Sequence, residues 1–222
     1  MKKLPGKFTF LHRFVKATYS TWRSKFAKHR LRQLAKNPPV RIILGASGTN
    51  YDGWIPTDVE HLNLLIPKHW EDCFERASID AMLAEHVWEH LSLDDGLTAA
   101  KQCFEYLKPG GYLRVAVPDG FHPDPSYIEY VKVGGSGLGA DDHKVLYNAE
   151  SIAEQFSKAG FEIELLEYYD SDRKFHMVDW EPKDGAVTRS SRFDARNSNG
   201  KLNYTSLIID ARKPTVTSNG FQ

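Results

Sequence analysis

One local pattern restricts the fold of this chain more than any other: a short β-branched run that enters a glycine turn. Val40-Arg41-Ile42-Ile43-Leu44 leads straight into Gly45-Ala46-Ser47-Gly48. Such a run reads as a buried strand. The glycines that follow let backbone pass close to a ligand without a Cβ in the way. Further strands are expected at residues 54–58, 63–66, 78–84, 112–117, 161–168 and 203–211. Between them lie helical segments with clear ends. Ser92 caps one, with Asp95 three residues on, and a stripe of Leu93, Leu97, Ala100, Phe104 and Leu107 follows. Lys108-Pro109-Gly110-Gly111 stops it. Asn148 caps a second helix, lined by Ile152, Phe156 and Ala159 and stopped at Gly160. Alternating strands and helices predict an α/β, Rossmann-like, seven-stranded and mostly parallel sheet with helices on both faces. Residues 170–202 show no helical period, so a loop or small hairpin is expected there, which would reverse the last strand.

Charge divides the chain in two. Residues 1–41 hold twelve Lys or Arg and no Asp or Glu; from totals of 29 and 29, the rest carries 29 − 12 = 17 basic against 29 acidic groups. Phe10, Phe14, Thr18, Trp22 and Phe26 recur every fourth residue in this basic segment, the mark of an amphipathic helix. Asn37-Pro38-Pro39 ends it. We therefore expect a helical arm over 1–39, a catalytic-type domain over 40–214 and a flexible tail over 215–222. The arm has three readings: docking of its apolar face on the domain, a membrane-surface or partner-binding helix, or a nucleic-acid arm. An acidic body disfavours nucleic acid. Cys73 and Cys103 match no metal spacing, and no signal peptide is visible, so reduced thiols and a cytoplasmic location are expected, with peripheral attachment at the inner membrane face through the arm.

In an open parallel sheet, ligands gather at the carboxyl ends of the strands. There the sequence places Gly45, Ala46, Ser47 and Gly48, then Asp58, then Glu85 and His86, then Asp119 and His122. A carboxylate after the second strand suits the hydroxyls of a ribose. The three-glycine pattern of a dinucleotide site is broken, and the Gly-Lys-Ser/Thr of a phosphate loop is absent. The site looks built for a nucleoside without phosphates.

At this point the chain resembles a family. Leu44-Gly45-x-x-Gly48, Gly53-Trp54-Ile55-x-x-Asp58, Glu85-His86-Val87-Trp88-Glu89-His90-Leu91, Leu107-Lys108-Pro109-Gly110-Gly111 and Val117-Pro118-Asp119 are similar to class I S-adenosylmethionine-dependent methyltransferases of bacteria. The group most like it is the predicted methyltransferases found among surface-polysaccharide genes. The resemblance covers about residues 40–214 and implies a seven-stranded sheet with a reversed last strand. It implies S-adenosylmethionine as cofactor, with Gly45, Ala46, Ser47 and Gly48 at its methionine part, Asp58 on its ribose, and Glu85 and His86 beside the sulfonium. One departure stands out: no acid ends the first strand, so Asp52 or Glu85 would have to meet the methionine amine.

His143 is the leading candidate base, behind a glycine-rich lid over 134–139, with Asp142 or Asp141 to orient it and His122 as second candidate. Asp119, Tyr127, Arg189 and Arg192 are candidate substrate groups, the arginines for an anionic sugar or phosphate. Glu85-His86 and Glu89-His90 would share one helical face, but with no third ligand in view no metal is expected. The expected reaction is O-methylation of a small molecule or a surface glycan. The alternative is a non-catalytic scaffold in a membrane-associated assembly.

Overall fold

The computed structural model describes residues 27–198 and 200–215. The stripe from Phe10 to Phe26 and residues 216–222 of the expected tail lie outside them. Seven strands form one sheet in the order β2-β1-β3-β4-β7-β5-β6. They are β1 (Arg41–Leu44), β2 (Ile55–Pro56), β3 (Ile79–Glu85), β4 (Leu107–Pro118), β5 (Glu162–Tyr169), β6 (Phe175–Met177) and β7 (Ser206–Arg212). β1 to β4 run parallel, while β7 lies antiparallel between β4 and β5. The helices are α1 (described over residues 27–34), α2 (Pro67–Glu71), α3 (Leu93–Tyr106), α4 (Pro125–Val131) and α5 (Ala149–Lys158). The Rossmann-like sheet and its reversed last strand follow the expectation.

Two details differ. Residues 63–66 form no strand but a turn into α2, where Pro67 occupies the first helical turn. Proline is preset for that position and has no amide hydrogen to lend a sheet. Trp70 of α2 is then fully buried and stacks on Tyr106 at 5.1 Å. The seventh strand is instead β6, a hairpin with β5 at the opposite edge.

Helix α3 buries Gly96, Ala99, Ala100, Cys103 and Tyr106, while Leu93 stands 58% exposed. This face is rotated by about one residue from the leucine stripe. Glycine explains it: a Cβ on Gly96 would meet the Gln155 amide at 2.6 Å, so α3 and α5 approach through their small residues. Gln155 Nε2 then donates to the Leu93 carbonyl at 2.7 Å. The capping is as expected, with Asp95 N–H donating to Ser92 Oγ at 3.1 Å and Ser151 N–H to Asn148 Oδ1 at 2.8 Å. Helix α4 follows Asp124-Pro125, a start signal the sequence reading passed over.

Among the described residues, α1, α2, α3 and α5 cover one face of the sheet, in a core that includes Leu31, Trp70, Ala100 and Phe156. The opposite face, expected to carry helices too, is covered by the link between β6 and β7, with Trp180 and Val187 packed on Ile43, Leu83, Ala116 and Ile208. The described end of the basic arm docks on the body: Leu31 is buried, and Lys28 Nζ lies 3.3 Å from Asp72 Oδ2.

Beneath the link, Arg114 and Asp210 are directly opposed across β4 and β7 and both almost fully buried. Arg114 donates to both Asp210 oxygens, at 2.8 and 3.0 Å, and to the Gly185 carbonyl at 2.9 Å. Removing one partner leaves a buried charge uncompensated. Asp210→Ala should therefore lose about 3–5 kcal/mol of stability in urea unfolding. Arg114→Met with Asp210→Leu should recover most of that loss, because the charge goes with its partner.

Candidate active site

The strand order reverses between β1 and β3, and the crevice outside their carboxyl ends is where such sheets bind ligands. A cleft of about 550 Å³ opens there. Its floor is the glycine turn. Gly45, Ser47 and Gly48 all take positive φ, at 60°, 45° and 90°. The turn is tied to β2 by Ala46 N–H donating to the Thr57 carbonyl and Thr57 N–H to the Ile43 carbonyl, both at 2.8 Å. Asp58 closes it by accepting from Ser47 N–H at 3.1 Å. Asp58 thus buttresses the turn and is not itself among the lining residues, nor is Gly48.

Gly45, Ala46 and Ser47 line the floor, and Glu85 and His86 the end of β3. Glu85 does more than expected. Its Oε2 accepts from Thr188 N–H at 3.1 Å and its Oε1 from Arg189 N–H at 2.8 Å. It pins the β6–β7 link to the rim. His86, in a left-handed conformation at φ 56°, meets Ser206 Oγ at 3.0 Å through Nε2 and Glu89 Oε1 at 2.8 Å through Nδ1.

The opposite wall holds Glu89, His90, Tyr130, Gly137, His143, Arg189, Arg196 and Tyr204. The expected helix carrying Glu85 and Glu89 on one face does not form, because β3 runs through Glu85 and only Trp88–His90 makes a single 3₁₀ turn. His143 faces the cleft as expected. Its Nδ1 lies 2.7 Å from the Val131 carbonyl, which only accepts, so the proton sits on Nδ1 and Nε2 is left bare. Asp142 does not orient it. Asp142 Oδ2 is 3.5 Å from His90 Nδ1 instead. The glycine segment expected as a mobile lid is laced by backbone bonds, among them Gly135 N–H to Lys132 carbonyl and Gly137 N–H to Tyr130 carbonyl, each at 2.8 Å.

Besides Gly48, Asp58 and Asp142, four further candidate residues stand off the cleft. His122 is buried and stacks on Tyr127 at 3.8 Å between ring centroids. Tyr127 is buried too, its hydroxyl donating to the Thr205 carbonyl and accepting from Asp119 N–H. Asp119 accepts from Phe121 N–H and Tyr169 N–H and holds the chain bend after β4. Arg192 donates to the Trp180 carbonyl at 3.2 Å and pairs with Asp179 on the surface. Arg189 and Arg196 of the same segment do line the cleft. Glu89 and His90 line the cleft as well.

Residues 58–166 match the family model described as a methyltransferase domain. This stretch is similar to methyltransferase domains. The match spans just under half of the chain and begins after the glycine turn. Among solved structures, a SAM-dependent methyltransferase of Archaeoglobus fulgidus is 19% identical, with 86% of this chain and 94% of that chain covered at a TM-score of 0.44. One from Thermotoga maritima is 17% identical, with 90% and 97% covered at a TM-score of 0.45. No curated protein matches the chain. No helix among the described residues is long and apolar enough to cross a membrane.

The cleft fits S-adenosylmethionine, the cofactor that the sequence resemblance implies. The volume is that of a small-molecule site. S-adenosylmethionine carries a sulfonium and an ammonium, and the lining offers the carboxylates of Glu85 and Glu89. With no acid at the end of β1, Glu85 is the acid nearest the turn in the lining. Asp52 is exposed and outside it.

Burial pushes the Asp119 carboxyl up to about 6, against the pull of its Tyr169 and Phe121 amide donors. A carboxyl that holds its proton longer when folded stabilises the fold fully below pH about 4, and that contribution is lost as pH rises through 6. The stability difference between the native chain and Asp119→Asn, followed by urea unfolding, should therefore shift against the native chain by about 3 kcal/mol between pH 4 and pH 7.

Proposed function

We propose that this chain moves the methyl group of S-adenosylmethionine to an oxygen of a small polar or glycan acceptor held against the Glu89–His90–His143 wall. The cofactor supplies an electrophilic methyl group on a sulfonium. The chain supplies position. The turn at Gly45 to Ser47 lets the nucleoside and methionine parts lie against backbone, and Asp58 keeps that turn shaped. Across the cleft, the polar wall meets the acceptor. Holding donor and acceptor in line within one cleft accounts for most of what methyl transfer needs.

The observation that carries the acceptor class is the wall's chemistry. Glu89, His90 and His143 are lone-pair donors suited to an acceptor hydroxyl. Arg189 lines the cleft, is exposed, and makes no side-chain hydrogen bond or ion pair among the described residues. A free guanidinium at the rim suits a carboxylate or phosphate on the acceptor. Arg196 is different. Asp194 neutralises it at 2.6 Å, and it lies 3.3 Å above the Tyr204 ring, so it shapes the wall. An acidic, polyhydroxylated acceptor agrees with the polysaccharide reading of the sequence resemblance. Leu31 and Lys28 join the described end of the arm to the folded unit.

Calorimetric titration of S-adenosylhomocysteine into the full chain should give one site with Kd in the micromolar range, about −8 kcal/mol. Asp58→Ala should weaken it at least ~10-fold, about 1.4 kcal/mol, by loosening the turn. Absence of binding by the native chain would overturn the enzyme reading. Arg189→Ala should leave this affinity unchanged while raising KM for an acidic oligosaccharide acceptor.

A further inference from the structure

We propose that Glu89, His90 and His143 form a binding site for one divalent transition-metal ion of the zinc class in the wall of the cleft. Each residue offers one ligand atom, and these atoms all lie within 4.8 Å of one another. Two imidazoles and one carboxylate, with a further position left open, is a donor set that Zn²⁺ takes in catalytic sites. Ligands about 2.1 Å from a tetrahedral ion stand roughly 3.4 Å apart, so closing on the ion requires shifts on the order of 1 Å.

The cluster is built, not incidental. Glu89 is fully buried, yet both its carboxylate oxygens lack a hydrogen-bond donor. His86 Nδ1 approaches to 2.8 Å from Oε1, outside hydrogen-bond alignment. A buried carboxylate without donors is costly unless something cationic completes it. His143 adds a bare Nε2, because the Val131 carbonyl holds its proton at Nδ1. A backbone carbonyl on the far ring nitrogen is the usual way a protein fixes the tautomer of a metal-binding histidine. His90 completes the set, its ring edge-on to His143 with centroids 4.9 Å apart. Its Nδ1 is buried and has no hydrogen-bond partner. Ligand atoms thus converge from three side chains, with His86 Nδ1 2.8 Å from one Glu89 oxygen and Asp142 Oδ2 3.5 Å from His90 Nδ1.

The backbone holds the three in place. Lys144 N–H donates to the Glu89 carbonyl at 2.7 Å, which clamps the His143 strand against the 3₁₀ turn. Trp88, fully buried, anchors that turn by donating from its indole to the Gly96 carbonyl at 3.2 Å. All three ligand residues line the cleft. The open position of an ion held there faces the space assigned above to the acceptor. In that position the ion would bind the acceptor oxygen and favour its deprotonated form. This role rests on the methyl-transfer reading. The binding of the ion does not.

The test is direct. The full chain, freed of metal by chelator and dialysis, is titrated with Co²⁺ and with Zn²⁺. One equivalent of Co²⁺ should bind with visible d–d absorption of a low-coordinate N/O site, and Zn²⁺ should displace it. Glu89→Gln, His90→Asn and His143→Asn should each weaken Zn²⁺ binding at least ~10-fold. Circular dichroism should stay as in the native chain for all three, and S-adenosylhomocysteine affinity should stay so for the two histidine variants. Failure to bind one equivalent would overturn the proposal, as would binding that survives all three substitutions. Should Glu89→Gln fail to fold, the two histidine variants decide alone. Loss of cofactor binding with intact Zn²⁺ binding would count against the methyl-transfer reading and leave the metal site standing.

Discussion

The second face of the sheet lacks a helical cover among the described residues, and two buried acids with a half-buried third hold its covering in place. Glu167 accepts from the Trp180 indole, Ser191 N–H and Thr205 Oγ1, at 2.9, 2.7 and 2.7 Å. Asp210 takes Arg114, which in turn holds the Gly185 carbonyl. Glu85 takes the amides of Thr188 and Arg189. An irregular link cannot satisfy its own amides as a helix does, so buried side chains must do it. The register shift between Leu165 and Glu167 makes this feasible. It lets Leu166 and Glu167, successive residues, both meet the link.

That anchoring reaches the function directly. The same link carries Thr188, Arg189, Arg196 and Tyr204 into the cleft wall. Asn197 completes the geometry at its far end. It donates to the Ser191 and Tyr204 carbonyls and accepts from Asn203 and Tyr204 N–H groups. A wall built from loop is normally the soft part of a site. Here its backbone is bonded to strands at several points, so the rim groups keep their positions without a ligand.

Much of the frame was legible because local chemistry decides it. Ser92 and Asn148 cap where their side chains have amides to meet, and Gly160 ends a helix where φ must be positive, at 103°. The β-branched run into Gly45 is readable for the same reason. What failed to show depends on partners distant in sequence. Leu64 and Leu65 looked strand-like, yet Pro67 and the burial of Trp70 turned that segment toward a helix. His122 and Asp119 sat at the right place along the chain, but the Tyr127 ring and the Tyr169 amide drew them inward. The Glu89–His90 pair seemed to lack a third ligand because His143 arrives from 143 − 90 = 53 residues on. Its one local signal, a histidine just after the Asp141-Asp142 pair, suggested a base held by acids and not a ring oriented by a carbonyl.

The two halves of the cleft are held by different means, and this bears on how it acts. The floor is closed by short-range bonds: Thr57 Oγ1 and Thr57 N–H both donate to the Ile43 carbonyl at 2.8 Å, and Thr49 N–H donates to the Ala46 carbonyl at 2.7 Å. A turn fixed this way needs no ordering when a ligand lands, which favours tight cofactor binding by few contacts. The wall is instead assembled from four separate stretches, near residues 89, 130–143, 188–196 and 204. Under the proposed function, substitutions there would change which acceptor fits without disturbing the turn. Donor binding and acceptor choice would then vary independently, since Asp58 and Thr57 shape one side and Arg189 and His143 line the other. The missing acid at the end of β1 belongs to the same logic. Leu44 is fully buried in the apolar core there, so a charge at that position would sit among Ile42, Met82 and Val115. Glu85, one strand over and partly exposed, is where a carboxylate can face the cleft at lower cost.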